Sequence, residues 1–149
     1  MISSLNKFVK TVKVVSFFII FNNSFCGSMA KKKTILIIDD SNTTLILLDW
    51  SLKEEGYDTQ IALNVEEAKQ YITKAKPDLI LLDLFMPEVS GYDFLKMKPA
   101  LNIKDVPVIV VSAYNNQESV MLVRELGAAE FISKPFSIDA IVEAVKKHI

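Results

Sequence analysis

From Thr34 onward, short and wholly apolar runs alternate with longer stretches of helical spacing. Thr34-Ile35-Leu36-Ile37-Ile38 is apolar after its first residue and β-branched at four of five positions, the pattern of a strand buried on both faces, and it ends on Asp39-Asp40. Ser41, Asn42 and Thr43 are N-cap candidates for a helix over 44–55, in which Leu47, Leu48, Ser51 and Leu52 recur until Gly56 stops it. A second strand is predicted over 58–63. Asn64 then caps a helix over 65–74, with Glu66 and Glu67 in the first turn, where the helix dipole favours negative charge. Leu79-Ile80-Leu81-Leu82 reads as a third buried strand; it ends on Asp83, and Pro87 bars its continuation. Ser90-Gly91 leads into a short helix over 92–98 that Pro99 curtails. A fourth strand over 106–111 ends on Ser112, and a helix over 117–126 is closed by Gly127. A short fifth strand over 130–133 runs into Lys134-Pro135. Ser137 caps a last helix from Ile138 onward, with Lys146 and Lys147 in its final turn.

Five strands alternating with five helices imply an α/β fold, a doubly wound parallel sheet with helices on both faces. Ligands of such sheets sit at the carboxyl ends of the strands, in the crevice where the strand order reverses. That places Asp39, Asp40, Asp83, Ser112 and Lys134 along one edge before any motif is considered.

Residues 1–30 follow a different pattern. Lys7, Lys10 and Lys13 precede the apolar run 14–21, and small and polar residues follow up to Ser28, an order that imitates a secretory signal peptide. A run of eight residues is too short to span a bilayer, which takes about 20 in a helix. We therefore read 1–30 as an N-terminal extension, whether a non-native start, a tag remnant or a signal-like segment, and 31–149 as the domain. A membrane location is not expected, and the domain is placed in the cytoplasm.

Composition narrows the chemistry. The chain has 149 residues, half of them hydrophobic, which suits a single globular domain. A net charge of -1 leaves no electrostatic footprint for direct DNA binding. One cysteine, Cys26, and one histidine, His148, exclude a disulfide framework and a Cys/His zinc site, so any metal must be held by oxygen. With four glycines and no Gly-rich phosphate loop, nucleotide binding is also disfavoured.

Three aspartates at one sheet edge repel one another unless their protonation shifts or a cation is bound. Few carboxylates with all-oxygen ligation suit Mg²⁺, which keeps several waters and shares its remaining positions with a phosphoryl group. Lys134 supplies a fixed positive charge and Ser112 a hydroxyl donor. Together they describe phosphoryl transfer onto an aspartate, in which positioning and charge neutralisation carry the catalysis. Singly, each residue has a plainer reading: Asp83 and Ser112 as loop caps, Lys134 as a solvated strand-end charge, Asp39-Asp40 as a helix start.

Ile38-Asp39-Asp40-Ser41, Leu82-Asp83-Leu84-Phe85-Met86-Pro87 with Gly91 beyond it, Val111-Ser112-Ala113 and Phe131-Ile132-Ser133-Lys134-Pro135-Phe136 resemble the receiver domain of two-component response regulators. The resemblance runs over 32–149. It implies a flavodoxin-like, five-stranded sheet of order 2-1-3-4-5. It implies Asp83 as the phospho-acceptor, Asp40 as a direct Mg²⁺ ligand, Asp39 as a ligand largely through water, and Phe85 as a ligand through its backbone carbonyl. Ser112 and Lys134 would contact the phosphoryl oxygens, and the Lys134-Pro135 bond would be cis.

The resemblance also implies a switch in which the Ser112 hydroxyl is drawn to the phosphoryl group and Phe131 fills the vacated space. A downstream target would read this through the fourth helix, fifth strand and fifth helix. Phe131 stands where tyrosine is commoner, so packing is its only contribution. If Val120, Val123 and Leu126 face the sheet, Met121 and Leu122 face outward; if Leu47, Leu48 and Leu52 face the core, then Leu45, Ile46 and Trp50 form a docking patch. The expected donor is a histidine kinase or a histidine phosphotransfer protein. Phe85 and Tyr114, two residues after Asp83 and Ser112, would flank the attacking water and prolong the aspartyl phosphate. The function expected is therefore a single-domain response regulator that signals by phosphorylation-dependent partner binding, and not an enzyme beyond its own phosphoryl transfer and autodephosphorylation. Alternatives are a phosphorelay intermediate and an interaction module that takes no phosphate. An aspartyl-phosphate hydrolase is disfavoured because such enzymes want a second acid where Phe85 stands.

Overall fold

The computed structural model describes residues 31–149; the reading of 1–30 as an extension, with Cys26, lies outside the described residues. Ten elements alternate along the described residues: β1 (Thr34–Ile38), α1 (Asn42–Glu54), β2 (Asp58–Ala62), α2 (Val65–Ile72), β3 (Leu79–Leu82), α3 (Gly91–Met97), β4 (Val108–Ser112), α4 (Gln117–Glu125), β5 (Glu130–Ser133) and α5 (Ile138–His148). All four strand pairings are parallel and the order is β2-β1-β3-β4-β5, the doubly wound sheet the alternation predicts. Among the described residues no helix is long and apolar enough to cross a membrane.

The unbroken apolar runs are explained by burial on both sides. Successive residues of a strand point to opposite faces. Leu36, Ile38, Ile80, Leu82, Val108 and Val110 pack on one face against α2, α3 and α4 through Val65, Ala68, Phe94, Leu95 and Val123. Ile35, Ile37, Leu79, Leu81, Ile109 and Val111 pack on the other against Leu45, Leu48 and Leu52 of α1 and Ile141, Ala144 and Val145 of α5. The helices are not equally anchored: α5 buries four side chains, while α4 fully buries Val123 alone.

Side-chain caps account for the helix starts, those at Ser41, Asn64 and Ser137 as predicted. Ser41, Asn64, Ser90, Asn116 and Ser137 each accept a backbone N–H of the first turn. Because Ser41 takes the Thr44 N–H, α1 begins at Asn42, two residues before the predicted start. Glu67 reaches back to the Leu63 N–H at 2.8 Å, closing a reciprocal cap with Asn64. Helix α2 stops at Ile72, short of the predicted Lys74, whose amide turns back to the Tyr71 carbonyl. Strand β4 starts two residues late, since Val106 donates back to Ile103 and Pro107 has no N–H to give.

One face assignment is corrected. Leu45 is buried in the core and Leu47 is 43% exposed, the reverse of the predicted roles. Leu45, Leu48 and Leu52 share one stripe at i, i+3 and i+7, whereas Leu47 lies about 100° round the helix from Leu48. Ile46 and Trp50 are exposed, as are Met121 and Leu122. Lys98, just past the end of α3, is buried; its ammonium donates to the Val106 carbonyl at 2.8 Å, and burial lowers its pKa.

The start of α3 is set by Gly91, whose N–H donates to the Leu84 carbonyl at 2.9 Å. A Cβ at this position would stand 2.3 Å from the Asp83 carbonyl oxygen and 2.8 Å from the Leu84 Cα, both of them backbone atoms unable to rotate away. Gly91→Ala is expected to destabilise the protein by roughly 1–3 kcal/mol in urea denaturation, the usual cost of overpacking. An unchanged midpoint would show that α3 can back away from the β3 loop.

Candidate functional site

Parallel register brings the polar strand ends to a common level. Ile38 of β1 pairs with Leu82 of β3, and Leu82 with Val110 of β4. The Asp83 N–H donates to the Ile38 carbonyl at 2.9 Å, so Asp39 and Asp83 leave neighbouring strands side by side. On the other flank Ser112 pairs with Ser133, and the Lys134 N–H donates to the Ser112 carbonyl at 2.8 Å. The Lys134-Pro135 peptide bond is cis, as the resemblance implied.

Asp39, Asp40 and Asp83 each offer a carboxylate oxygen within 4.8 Å of the others. Asp39 is 3% and Asp83 7% exposed, while Asp40 faces solvent. Lys134 lies between the two buried acids: its ammonium is 2.7 Å from Asp39 Oδ2 and 3.4 Å from Asp83 Oδ2. Asp39 Oδ1 accepts the Ser41 N–H, and Asp83 Oδ1 accepts the Leu84 N–H, both at 2.8 Å. Each buried carboxylate is thus oriented by a backbone amide through one oxygen and faces the lysine with the other.

Burial pushes the Asp83 carboxyl up; Lys134 pulls it down, Asp39 pushes it up again, and the net result lies above the ordinary value. Burial works against the Lys134 ammonium, but its hydrogen bond to Asp39 and the charges of Asp39 and Asp83 hold its pKa above the ordinary value. One ammonium therefore faces three carboxylates when all are ionised, and the remaining negative charge calls for a cation. The donor set is all oxygen and partly open to solvent through Asp40, which fits a hard divalent ion with retained waters.

Ser112 is fully buried at the end of β4, and its Oγ accepts the Tyr114 N–H at 3.3 Å. Phe131 lies on β5 opposite Val110, half-buried against the core on the α4 side, and is not part of the acidic cluster. Phe85 is 48% exposed, and its ring stacks on Tyr114 with centroids 4.3 Å apart at 32°. Tyr92, which the sequence reading used only to start a helix, meets Phe85 edge to face at 6.3 Å and 88°. No local spacing signals that contact, because Tyr92 reaches Phe85 only through the fold of the intervening loop. The close approach of Gly91 to Asp83 was likewise unread; the signal was a glycine directly after a serine cap.

The raised Asp83 pKa has a definite sign in stability. A carboxyl held above its unfolded value favours the fold while protonated, and that contribution is lost as the pH rises through the folded pKa. In EDTA, Asp83→Asn is therefore expected to raise the melting temperature at pH 7, and to raise it less near pH 4. An equal or larger gain at the lower pH would contradict this balance of charges.

The whole site lies within a recognised sequence family. Residues 35–146 match the family model described as the response regulator receiver domain. The chain is 39% identical over 115 residues to sporulation initiation phosphotransferase F of Bacillus subtilis, covering 77% of this chain and 92% of that protein. It is 31% identical over 118 residues to the polar-differentiation response regulator DivK of Brucella anthropi, covering 78% and 96%. The solved receiver domain of Francisella response regulator 1452 superposes with a TM-score of 0.73 at 30% identity, over 78% of this chain and 95% of that one. A sheet of order 2-1-3-4-5 with acids, serine and lysine at its carboxyl edge, and matches of this extent, make the chain a member of the response regulator receiver domain family.

Proposed function

We propose that Asp83 accepts a phosphoryl group from the phosphohistidine of a histidine kinase or histidine phosphotransfer protein, and that the modified domain signals by binding a partner. The observation that carries this reading is the buried Asp83 carboxylate beside Lys134, with Asp39 and Asp40 close enough to share a cation. In the transfer a carboxylate oxygen of Asp83 bonds to phosphorus, the phosphorus–nitrogen bond of the donor breaks, and its electron pair leaves with the imidazole. Asp39, Asp40, Asp83 and the Phe85 backbone carbonyl are the groups we assign to Mg²⁺. When bound, the ion neutralises charge on the phosphoryl oxygens. Lys134, already oriented by Asp39, pairs with one phosphoryl oxygen, and the Ser112 hydroxyl donates to another.

A phosphoryl group adds about 1.5 to 2 negative charges and strong acceptors, enough to draw the buried Ser112 hydroxyl toward it. Phe131, on the strand paired to β4, then moves into the space left, and α4, β5 and α5 carry the change to a target. Met121 and Leu122 on α4 suit such a surface, and Ile46 and Trp50 on α1 suit docking of the donor. The activity proposed is a cytoplasmic one. Similarity to sporulation initiation phosphotransferase F favours a second reading, a phosphorelay intermediate that passes the phosphoryl group on.

With acetyl phosphate and Mg²⁺, the wild-type protein is expected to shift on a phosphate-affinity gel and Asp83→Asn to stay unshifted. EDTA should slow the modification at least about tenfold, because the cation neutralises developing charge. Equal labelling of Asp83→Asn would overturn the assignment, and an unlabelled wild type would leave the plain interaction module as the function. Phe85 and Tyr114 narrow the approach of water, so Phe85→Asn is expected to shorten the lifetime of the aspartyl phosphate about tenfold; an unchanged decay would remove the rings from that role.

A further inference from the structure

Three aromatic rings stand together at the loops that follow β3 and β4, and their anchoring differs. Phe85 is 48% and Tyr114 56% exposed, so the core fixes neither ring. Tyr114 is tied through its backbone, whose N–H donates to Ser112 Oγ, but its side chain is not held by that bond. Tyr92 is different: it is half-buried, packs against the core that holds Leu82, Leu84 and Phe94, and sits in the first turn of α3. Its neighbour Gly91 is pressed against the Asp83 carbonyl, which leaves that turn little freedom to shift. Of the three, Tyr92 is the ring whose position is set by the fold.

We propose that Tyr92 is a positioning residue for the lifetime of the phosphoryl group on Asp83: its edge-to-face contact holds Phe85 in its stack on Tyr114, across the approach to the phosphorus. This rests on the reading of Asp83 as the phospho-acceptor. The geometry is the favoured one for such a contact, with the positive edge of one ring against the negative face of the other. A half-exposed phenylalanine with no such partner exchanges among staggered rotamers on the picosecond to nanosecond scale. Held between Tyr92 and Tyr114, Phe85 spends less time away from the site.

Hydrolysis shows why this matters. A water oxygen bonds to phosphorus opposite the Asp83 oxygen, the bond from phosphorus to Asp83 breaks, and the electron pair returns to the carboxylate. The water loses a proton to solvent, and inorganic phosphate leaves. In phosphorylation, the leaving group of the donor occupies the position that water takes in hydrolysis. A ring that restricts this position therefore slows uptake and loss together, and releasing it speeds both.

The test follows decay of the phosphorylated protein and its rate of labelling by acetyl phosphate in Mg²⁺. Tyr92→Ala is expected to raise both rates roughly two- to tenfold, the range to which the strength of an edge-to-face pair converts. Tyr92→Phe keeps the ring and should keep the wild-type rates. In a Phe85→Ala background, Tyr92→Ala should add nothing. Where Tyr92→Ala does not fold, Tyr92→Leu keeps the core contact and removes the aromatic ring. A second readout needs no phosphate: aromatic ¹³C relaxation should show greater rotamer exchange of Phe85 in unphosphorylated Tyr92→Ala. Unchanged rates, a full effect persisting without Phe85, or Tyr92→Phe behaving like Tyr92→Ala would each overturn the proposal. If the wild type takes no label, the reading of Asp83 fails on its own account, and the relaxation measurement alone then decides whether Tyr92 holds Phe85.

Discussion

The carboxyl edge of the sheet depends on one ammonium held between two buried acids. Lys134 stands 95 residues from Asp39 in sequence and 2.7 Å from it in space, and it reaches Asp83 as well. That contact joins the end of β5 to the ends of β1 and β3 across β4, so it reports that all four strands end at compatible heights. It also lets two carboxylates remain buried side by side, which would otherwise force one of them to keep its proton. The same contact keeps the site short of neutrality. A single ammonium cannot balance Asp39, Asp40 and Asp83 when all are ionised, and this imbalance sits where an all-oxygen donor set could hold a cation.

Strands were the most legible part of the chain, for a physical reason. A parallel sheet buried on both faces leaves uninterrupted apolar runs, and β1 and β3 end where the runs meet Asp39 and Asp83. Once the strands are parallel, their last polar residues must share an edge, so the candidate site followed from topology without any long-range contact being known. The errors share a cause too. On α1 the choice between Leu45 and Leu47 rests on where a helix rotates against the sheet, and the short stretch Leu45-Ile46-Leu47-Leu48 is apolar all round. Periodicity cannot select a face when every position qualifies. The stack of Phe85, Tyr114 and Tyr92 was legible only in part, since two of its members follow site residues by a fixed spacing and the third arrives through the fold.

Gly91 links these two layers of organisation. Its lack of a side chain lets α3 press on the peptide that carries Asp83, and this places the next residue, Tyr92, against both the core and Phe85. A backbone requirement at one position thereby becomes a side-chain arrangement at the mouth of the site. Serine at 90 and glycine at 91 are usually read as helix punctuation, yet here they also set how closely a helix approaches the peptide that carries Asp83.

Helix α4 has a different relation to the core. With Val123 as its one fully buried side chain, it adds far less apolar contact than α5, which buries Ile141, Val142, Ala144 and Val145. Elements with little buried apolar surface open at the low end of the local stability range, well below global unfolding. In a molecule whose sheet is closely packed on both faces, α4 is the helix with the fewest buried side chains among the five described. A domain that reports a chemical event by changing shape would use such a loosely moored element, with the rigid core confining the movement.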